Sequence, residues 1–330
     1  MERIKLFLRK ELVPQIFGED VLAGLRNFGE LEIWEEEDEG DFLRNATIVI
    51  TSWGSPMLKE EVLEIAPGLR FIFHSAGTIK PYVQRRLMER GVRVSCASNV
   101  LGRYVAMTNL GYILLSAKKI FWWNEHIKTR GGWRDNERLW NFTEEVNYLN
   151  IGIISMSWVG RHTLSYLKRF TDRIFVYDPY WQADEIEGYG GRKVEDLLTL
   201  AQKCEIICLC APLTEETKGM IGRDFFKAMK DGSVFINTAR GGIIQWDAFV
   251  EELEKGRIFA VLDVTDPYEP LPTDSKLRKL KNVVISPHIA GCVRGGLKDI
   301  GRFCLEEVGR FLRGEELVNE VKLERLDITA

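Results

Sequence analysis

Long apolar runs are missing from this chain. No stretch approaches the roughly 20 residues that cross a bilayer as a helix, and the opening MERIKLFLRK is too charged for a signal peptide. Neither a membrane span nor a secretory leader is expected. Excess positive charge is also missing. Lys and Arg number 45 against 49 Asp and Glu, a net charge of −4 with a pI near 5.8, so the basic footprint of a nucleic-acid binder is absent. Histidine is scarce, at four residues, and none stands near Cys204, Cys208 and Cys210. The last two of these alternate with Ile206 along a strand-like run, so they read as small buried hydrophobes, and no metal site is expected. Six scattered cysteines fit a reducing cytoplasm.

What is present suits two globular domains. The chain has 330 residues, 45% of them hydrophobic and 28% charged, enough to build real cores. The acidic run Glu35-Glu36-Glu37-Asp38-Glu39 reads as a solvated loop. Short apolar runs alternate with helical spacing over the first hundred residues. Strands are expected at 4–8, 31–34, 47–51, 70–74 and 92–96, with a helix over 82–90. Such alternation argues for a parallel sheet covered on both faces. His74-Ser75-Ala76-Gly77 follows the fourth of these strands, where ligands bind in such sheets; His74 itself reads as a structural histidine. A broad apolar stripe (Ala106, Leu110, Ile113, Leu114, Ala117, Ile120, Phe121) predicts one long helix over 102–121. Trp122, Trp123, Trp133 and Trp140 then crowd a short stretch, and that aromatic surface suits a second subunit.

Residues 149–180, LNIGIISMSWVGRHTLSYLKRFTDRIFVYDPY, read as strand, tight turn, helix, strand. The helical stripe runs Val159, Thr163, Leu167, Phe170, and Asp178 closes the second strand. This is the layout of a dinucleotide turn, with phosphates on a helix N-terminus and a carboxylate for the ribose about 20 residues on. The glycine fingerprint is eroded: Ser155-Met156-Ser157-Trp158-Val159-Gly160 keeps only its third glycine. Beyond it, helices are expected at 194–202, 223–229, 246–255 and 294–313, and strands at 205–210, 233–237, 259–262 and 282–286.

Arg240, Glu269 and His288 each lie just past a strand of this proposed sheet, so parallel strands bring them to one edge. An arginine can grip a carboxylate with two parallel N–H bonds. A histidine can exchange a proton near neutral pH, and a carboxylate can hold one imidazole nitrogen and set its tautomer.

Asn237-Thr238-Ala239-Arg240-Gly241-Gly242, Leu262-Asp263-Val264-Thr265-Asp266-Pro267, Glu269-Pro270-Leu271-Pro272 and Ser286-Pro287-His288-Ile289-Ala290-Gly291 resemble the signatures of the D-isomer-specific 2-hydroxyacid dehydrogenases. That family includes phosphoglycerate, glyoxylate and D-lactate dehydrogenases. The resemblance covers nearly the whole chain and is densest from about 150 to 320. It implies an α/β architecture of two doubly wound parallel-sheet domains, with a Rossmann cofactor domain (101–291) inserted into a flavodoxin-like substrate domain (1–100 plus 292–330). It implies an NAD-dependent enzyme interconverting a small 2-keto acid and its D-2-hydroxy acid, dimeric through the cofactor domain.

By the same resemblance, Arg240 and the backbone around Ser75, Ala76 and Gly77 hold the substrate carboxylate. His288 protonates the keto oxygen, and Glu269 holds His288. The cofactor contacts fall on Ser157, Trp158, Val159, Gly160, Asp178, Ala211, Pro212, Thr217, Thr238, Ala239, Asp263 and His288. Asp178 takes the ribose and Asp263 the nicotinamide amide. Four departures stand out. Ser155 replaces a glycine, and Trp158 stands where arginine is common. Tyr268 looks inserted before Glu269, which leaves Asp266 as the alternative partner of His288. Met107 stands where the family commonly has glutamate. If the Ser155 strain is borne by the cofactor-bound form, NADH binding weakens by about tenfold. A non-catalytic NAD-sensing protein and a phosphite or formate dehydrogenase are the competing readings, and the Glu269-Pro270 pair argues against formate.

Overall fold

The computed structural model describes residues 1–35 and 38–328; Glu36 and Glu37 of the acidic run lie outside the described residues. The chain divides into two compact units, Met1–Leu101 with Cys292–Ala330, and Gly102–Gly291.

The first unit is built on β1 (Glu2–Phe7), β2 (Gly29–Ile33), β3 (Ile48–Thr51), β4 (Phe71–His74) and β5 (Arg93–Cys96). They form an all-parallel sheet in the order β2-β1-β3-β4-β5. Phe7, Val49, Ile72 and Val94 bury one face. The other receives the helix Gly295–Leu312, where Phe311 stacks on Phe71 with ring centroids 4.6 Å apart. Gly301 lets the same helix approach the short helix Val13–Ile16 closely, since a Cβ would sit 2.2 Å from the Ile16 carbonyl oxygen.

The second unit carries β6 (Ile151–Ile154), β7 (Ile174–Tyr177), β8 (Arg192–Lys193), β9 (Ile206–Leu209), β10 (Val234–Asn237), β11 (Phe259–Leu262) and β12 (Val283–Ile285). These too are all parallel, ordered β12-β11-β10-β9-β6-β7-β8. Alternate residues bury opposite faces. In β9, Ile206 and Cys208 join one core, and Ile207 and Leu209 the other. Burial on both sides is why these strands read as unbroken apolar runs. Cys204, Cys208 and Cys210 are buried and unpaired, and burial pushes the Cys204 thiol up to about 12.

The structure corrects the expected helix over 102–121. One helix spans Ser98–Ala117 and a second Ile120–Arg130, because Lys119 adopts a left-handed φ of 52° between them. The apolar stripe continued through a break that spacing alone does not reveal. Phe170 also leaves its stripe: the helix ends at Leu167, and Phe170 is exposed. Val194 precedes its helix, Leu197–Lys203, which is capped by Asp196. The helix Ala183–Tyr189 and strand β8 escaped the sequence reading altogether. Trp122 is taken up by its own unit, 5% exposed with its ring centroid 4.5 Å from that of Phe259, whereas Trp133 and Trp140 remain exposed.

Candidate active site

The order of the larger sheet reverses between β9 and β6, and the loops beyond those two strands form the switch point where such sheets bind ligands. After β6, Ser155 turns the chain at φ 84°. Its Oγ accepts the Ser157 N–H at 3.2 Å. Ser157 caps the helix Trp158–Leu167 by accepting the Gly160 N–H, and its hydroxyl donates to the Cys210 carbonyl at 2.6 Å. One serine thus ends the turn, starts the helix and ties the two walls of the switch point. Gly160 is obligatory here, since a Cβ would lie 1.9 Å from the Ser155 carbonyl oxygen. Ala211 and Pro212 continue from β9, and the Thr217 hydroxyl donates to the Pro212 carbonyl at 2.6 Å, bracing that loop.

Asp178 follows β7 and is 4% exposed. Its two oxygens accept the N–H groups of Met156 at 2.7 Å and Tyr180 at 2.8 Å. The carboxylate therefore holds the turn beyond β6 as well as its own loop, and each oxygen keeps a second lone pair. The left-handed turn, the bare Cα of Gly160, the helix N-terminus in its first turn (Trp158, Val159) and an acid at the end of β7 together fit the adenosine diphosphate half of a dinucleotide.

The other three strand ends carry the polar groups. Beyond β10, Asn237 accepts the Ala239 N–H at 2.9 Å, a side-chain-closed turn that presents Arg240. Gly241 packs so closely that a Cβ would lie 2.4 Å from the Thr265 carbonyl oxygen, which brings the Arg240 loop onto the Glu269 loop. Arg240 keeps an exposed outer surface while one guanidinium nitrogen donates to the Ala239 carbonyl at 2.6 Å. Crowding by protein atoms lowers its pKa from the ordinary arginine value, and the nearby Glu269 charge opposes that shift.

Beyond β11, Asp263 is 2% exposed. It accepts the Ser286 hydroxyl at 2.6 Å and the N–H groups of Ile289 at 3.0 Å and Ala290 at 2.9 Å. It thereby shapes the loop beyond β12 on which His288 stands at φ 52°. His288 Nδ1 lies 2.8 Å from Oε2 of Glu269. Asp266 makes no such contact among the described residues. The extra residue, Tyr268, is accommodated in the loop with its side chain exposed.

Several supporting residues went unread in the sequence. Asn109, fully buried, accepts the Thr238 hydroxyl at 2.7 Å and donates to Thr163 at 3.3 Å. It joins the strand end that carries Thr238 and Ala239 to the helix beyond the phosphate turn. The Tyr112 and Ser286 hydroxyls are bonded at 2.9 Å. The available signal was a pair of polar residues, three apart, on an otherwise apolar helix stripe. Met107 on that helix is 55% exposed, and nothing in the structure explains its choice.

Ser75, Ala76 and Gly77 belong to the other unit and follow β4. Ser75 spends its N–H and hydroxyl on the Thr51 carbonyl, each at 2.7 Å, leaving the Ala76 and Gly77 N–H groups as that loop's donors. His74 is fully buried, its Nδ1 2.9 Å from the Thr51 hydroxyl and its ring stacked on Tyr82 at 4.4 Å. Among the described residues no three His, Cys, Asp or Glu side chains are placed to hold a metal ion, and no helix is long and apolar enough to cross a membrane.

Residues 110–290 match the family model described as D-isomer specific 2-hydroxyacid dehydrogenase, NAD binding domain. The chain is 29% identical over 318 residues to D-3-phosphoglycerate dehydrogenase of Methanocaldococcus jannaschii, covering 95% of this chain but 59% of that protein. It is 31% identical over 238 residues to human glyoxylate reductase/hydroxypyruvate reductase, 72% of each chain. A phosphoglycerate oxidoreductase from Rhizobium etli superposes with a TM-score of 0.83 over 98% of both chains at 24% identity, a likeness of fold. The match over more than half the chain, on the same sheet edge that gathers Arg240, Glu269 and His288, makes this protein a member of the D-isomer specific 2-hydroxyacid dehydrogenase family.

Proposed function

We propose that this chain is an NAD-dependent oxidoreductase that interconverts a small 2-keto acid and its D-2-hydroxy acid. The observation that carries this reading is the His288–Glu269 pair at 2.8 Å, on the strand edge that also presents Arg240 and the phosphate turn. The NAD-binding match of residues 110–290 supports the cofactor, which supplies and accepts the hydride.

The residues then divide the work. An ionised carboxylate only accepts, so Glu269 takes a proton-bearing Nδ1 and leaves Nε2 of His288 to face the substrate. In the reductive direction His288 protonates the 2-keto oxygen, and in the oxidative direction it removes the proton from the hydroxyl. Arg240 grips the substrate carboxylate bidentately. Ser157, Trp158, Val159, Gly160, Ala211, Pro212, Thr217, Thr238 and Ala239 surround the dinucleotide. Asp178 receives the adenosine ribose, and Asp263, with one acceptor position left beside its three donors, receives the nicotinamide amide. The residues assigned to the cofactor all lie in the unit Gly102–Gly291.

A homodimer fits the exposed Trp133 and Trp140, and six unpaired cysteines fit a cytoplasmic setting. The test is NADH oxidation with glyoxylate, pyruvate, hydroxypyruvate and phenylpyruvate, alongside NAD reduction with phosphite and formate. Turnover of at least one keto acid to the D-product is expected. NADH binding without turnover of any keto acid would replace this reading with a non-catalytic cofactor sensor.

A further inference from the structure

His288 stands on a span that packing alone does not hold. Pro287, His288 and Ile289 are exposed, between a half-buried Ser286 and a buried Ala290. His288 is also left-handed, at φ 52°, and a non-glycine residue keeps that strained conformation only where its surroundings enforce it. The enforcement falls on the two ends of the span.

Both ends are held from one helix, Ser98–Ala117. The Thr108 hydroxyl donates to the Ala290 carbonyl at 3.0 Å, and the Tyr112 and Ser286 hydroxyls are bonded at 2.9 Å. Thr108 and Tyr112 are four apart on the helix and share a face; Ser286 and Ala290 are four apart on the span. Helix and span therefore meet at two points, with His288 midway between them. The helix is itself pinned, because the buried Asn109 accepts the Thr238 hydroxyl at 2.7 Å.

The bonds also have a direction. An ionised carboxylate only accepts, so Ser286 gives its one proton to Asp263, 2.6 Å away. The Tyr112 hydroxyl must then donate to Ser286. The donors run from Tyr112 through Ser286 to Asp263, whose oxygens take the Ile289 and Ala290 N–H groups on the far side of His288. Bonds in such a series strengthen one another.

We propose that Thr108 and Tyr112 are positioning residues for His288: they clamp the span on which it stands and so set where its Nε2 meets the substrate. This rests on the acid–base role given to His288 above.

The test is steady-state kinetics, with the keto acid that wild type turns over, on Thr108→Val, Tyr112→Phe and the double variant, each made also in the His288→Gln background. Each single variant should lower kcat about fivefold and the double variant about tenfold or more, as loss of neutral hydrogen bonds does. KM for the keto acid and Kd for NADH should stay within about twofold, since only the chemical step is touched. Thr108→Ser, which keeps the hydroxyl, should hold kcat within about twofold of wild type. In His288→Gln the same substitutions should cost little more, because residues that act through one group are not additive. Unchanged kcat in the double variant would overturn the proposal while leaving the reading of His288 intact. So would an equal loss with and without His288, which means general support of the fold, or a rise in KM or Kd at constant kcat, which means a binding role. A wild-type protein that turns over no keto acid would overturn both.

Discussion

Nδ1 of His288 lies 2.8 Å from Oε2 of Glu269, while Oε1 of the same carboxylate accepts the Thr265 N–H at 2.9 Å. The carboxylate is thus fixed by its own loop before it fixes the ring. Both side chains are partly exposed, at 51% for His288 and 38% for Glu269, so orientation rather than raw ion-pair energy is what Glu269 contributes.

His288→Gln should lower keto-acid turnover by about 10²–10⁴-fold, the usual contribution of a general acid–base group, with NADH still bound in a titration. Glu269→Gln should lower kcat by about tenfold or more, since a hydrogen bond to a charged group is worth roughly 1.5–3 kcal/mol. Asp266→Asn should leave kcat within twofold. A larger loss in the Asp266 variant than in the Glu269 variant would reverse the assignment.

Arg240→Lys should raise KM for the keto acid by about tenfold and lower kcat, because a point charge cannot reproduce a bidentate clamp. Steady-state kinetics at saturating NADH measure both, and an unchanged KM would remove Arg240 from the substrate site.

Ser155→Gly should stabilise the protein slightly and change NADH affinity little. The turn is locked by its own bonds, Ser155 N–H to the Tyr177 carbonyl at 2.8 Å and Met156 N–H to Asp178 at 2.7 Å. The left-handed serine at φ 84° therefore strains the folded chain itself, and the strain weighs on stability more than on binding. Relief of about 1–2 kcal/mol, less a hydrogen bond of about 0.5–1.5 kcal/mol, should raise the melting temperature by about 1–3 °C. A tenfold gain in NADH affinity would instead place the strain in the bound form.

NADH should be preferred to NADPH by about tenfold or more, because the 2′-phosphate would meet the Asp178 carboxylate as an unpaired like charge. Asp178→Asn offers one acceptor oxygen where two backbone N–H groups are held, so it should also cost about 1–3 kcal/mol of stability. Equal kcat/KM for both cofactors in wild type would mean that Asp178 serves the turn alone.

Burial holds the pKa of His74 down to about 3, from the usual 6.5, and its Nε2 has no hydrogen-bond partner among the described residues. The unfolded chain takes up a proton near pH 6.5 and the folded chain does not, so stability is full above that pH. It falls toward pH 3 at up to about 1.4 kcal/mol per unit. Denaturant midpoints at pH 7 and pH 4.5 should diverge more in wild type than in His74→Asn. An identical divergence would acquit His74.

The architecture was legible in the sequence because strands buried on both faces must be apolar throughout, and the turns between them carry fixed chemistry. Thus 206–209 and 234–237 announced themselves, and Arg240 and His288 were findable as the polar residues just past such runs. Local spacing could not foresee the break at Lys119, which interrupts an apolar stripe without changing it. It could not decide between Asp266 and Glu269 either, since a one-residue insertion is neutral in composition and only the folded loop shows which carboxylate turns toward the ring. Nor could it find Asn109, whose partners Thr238 and Thr163 stand 129 and 54 residues away. Periodicity and turn chemistry are local, so the chain alone determined the strands of both sheets other than the two-residue β8, and which residues stand at their ends. Contacts between those ends depend on how loops close across the sheet, and that only the tertiary structure decided.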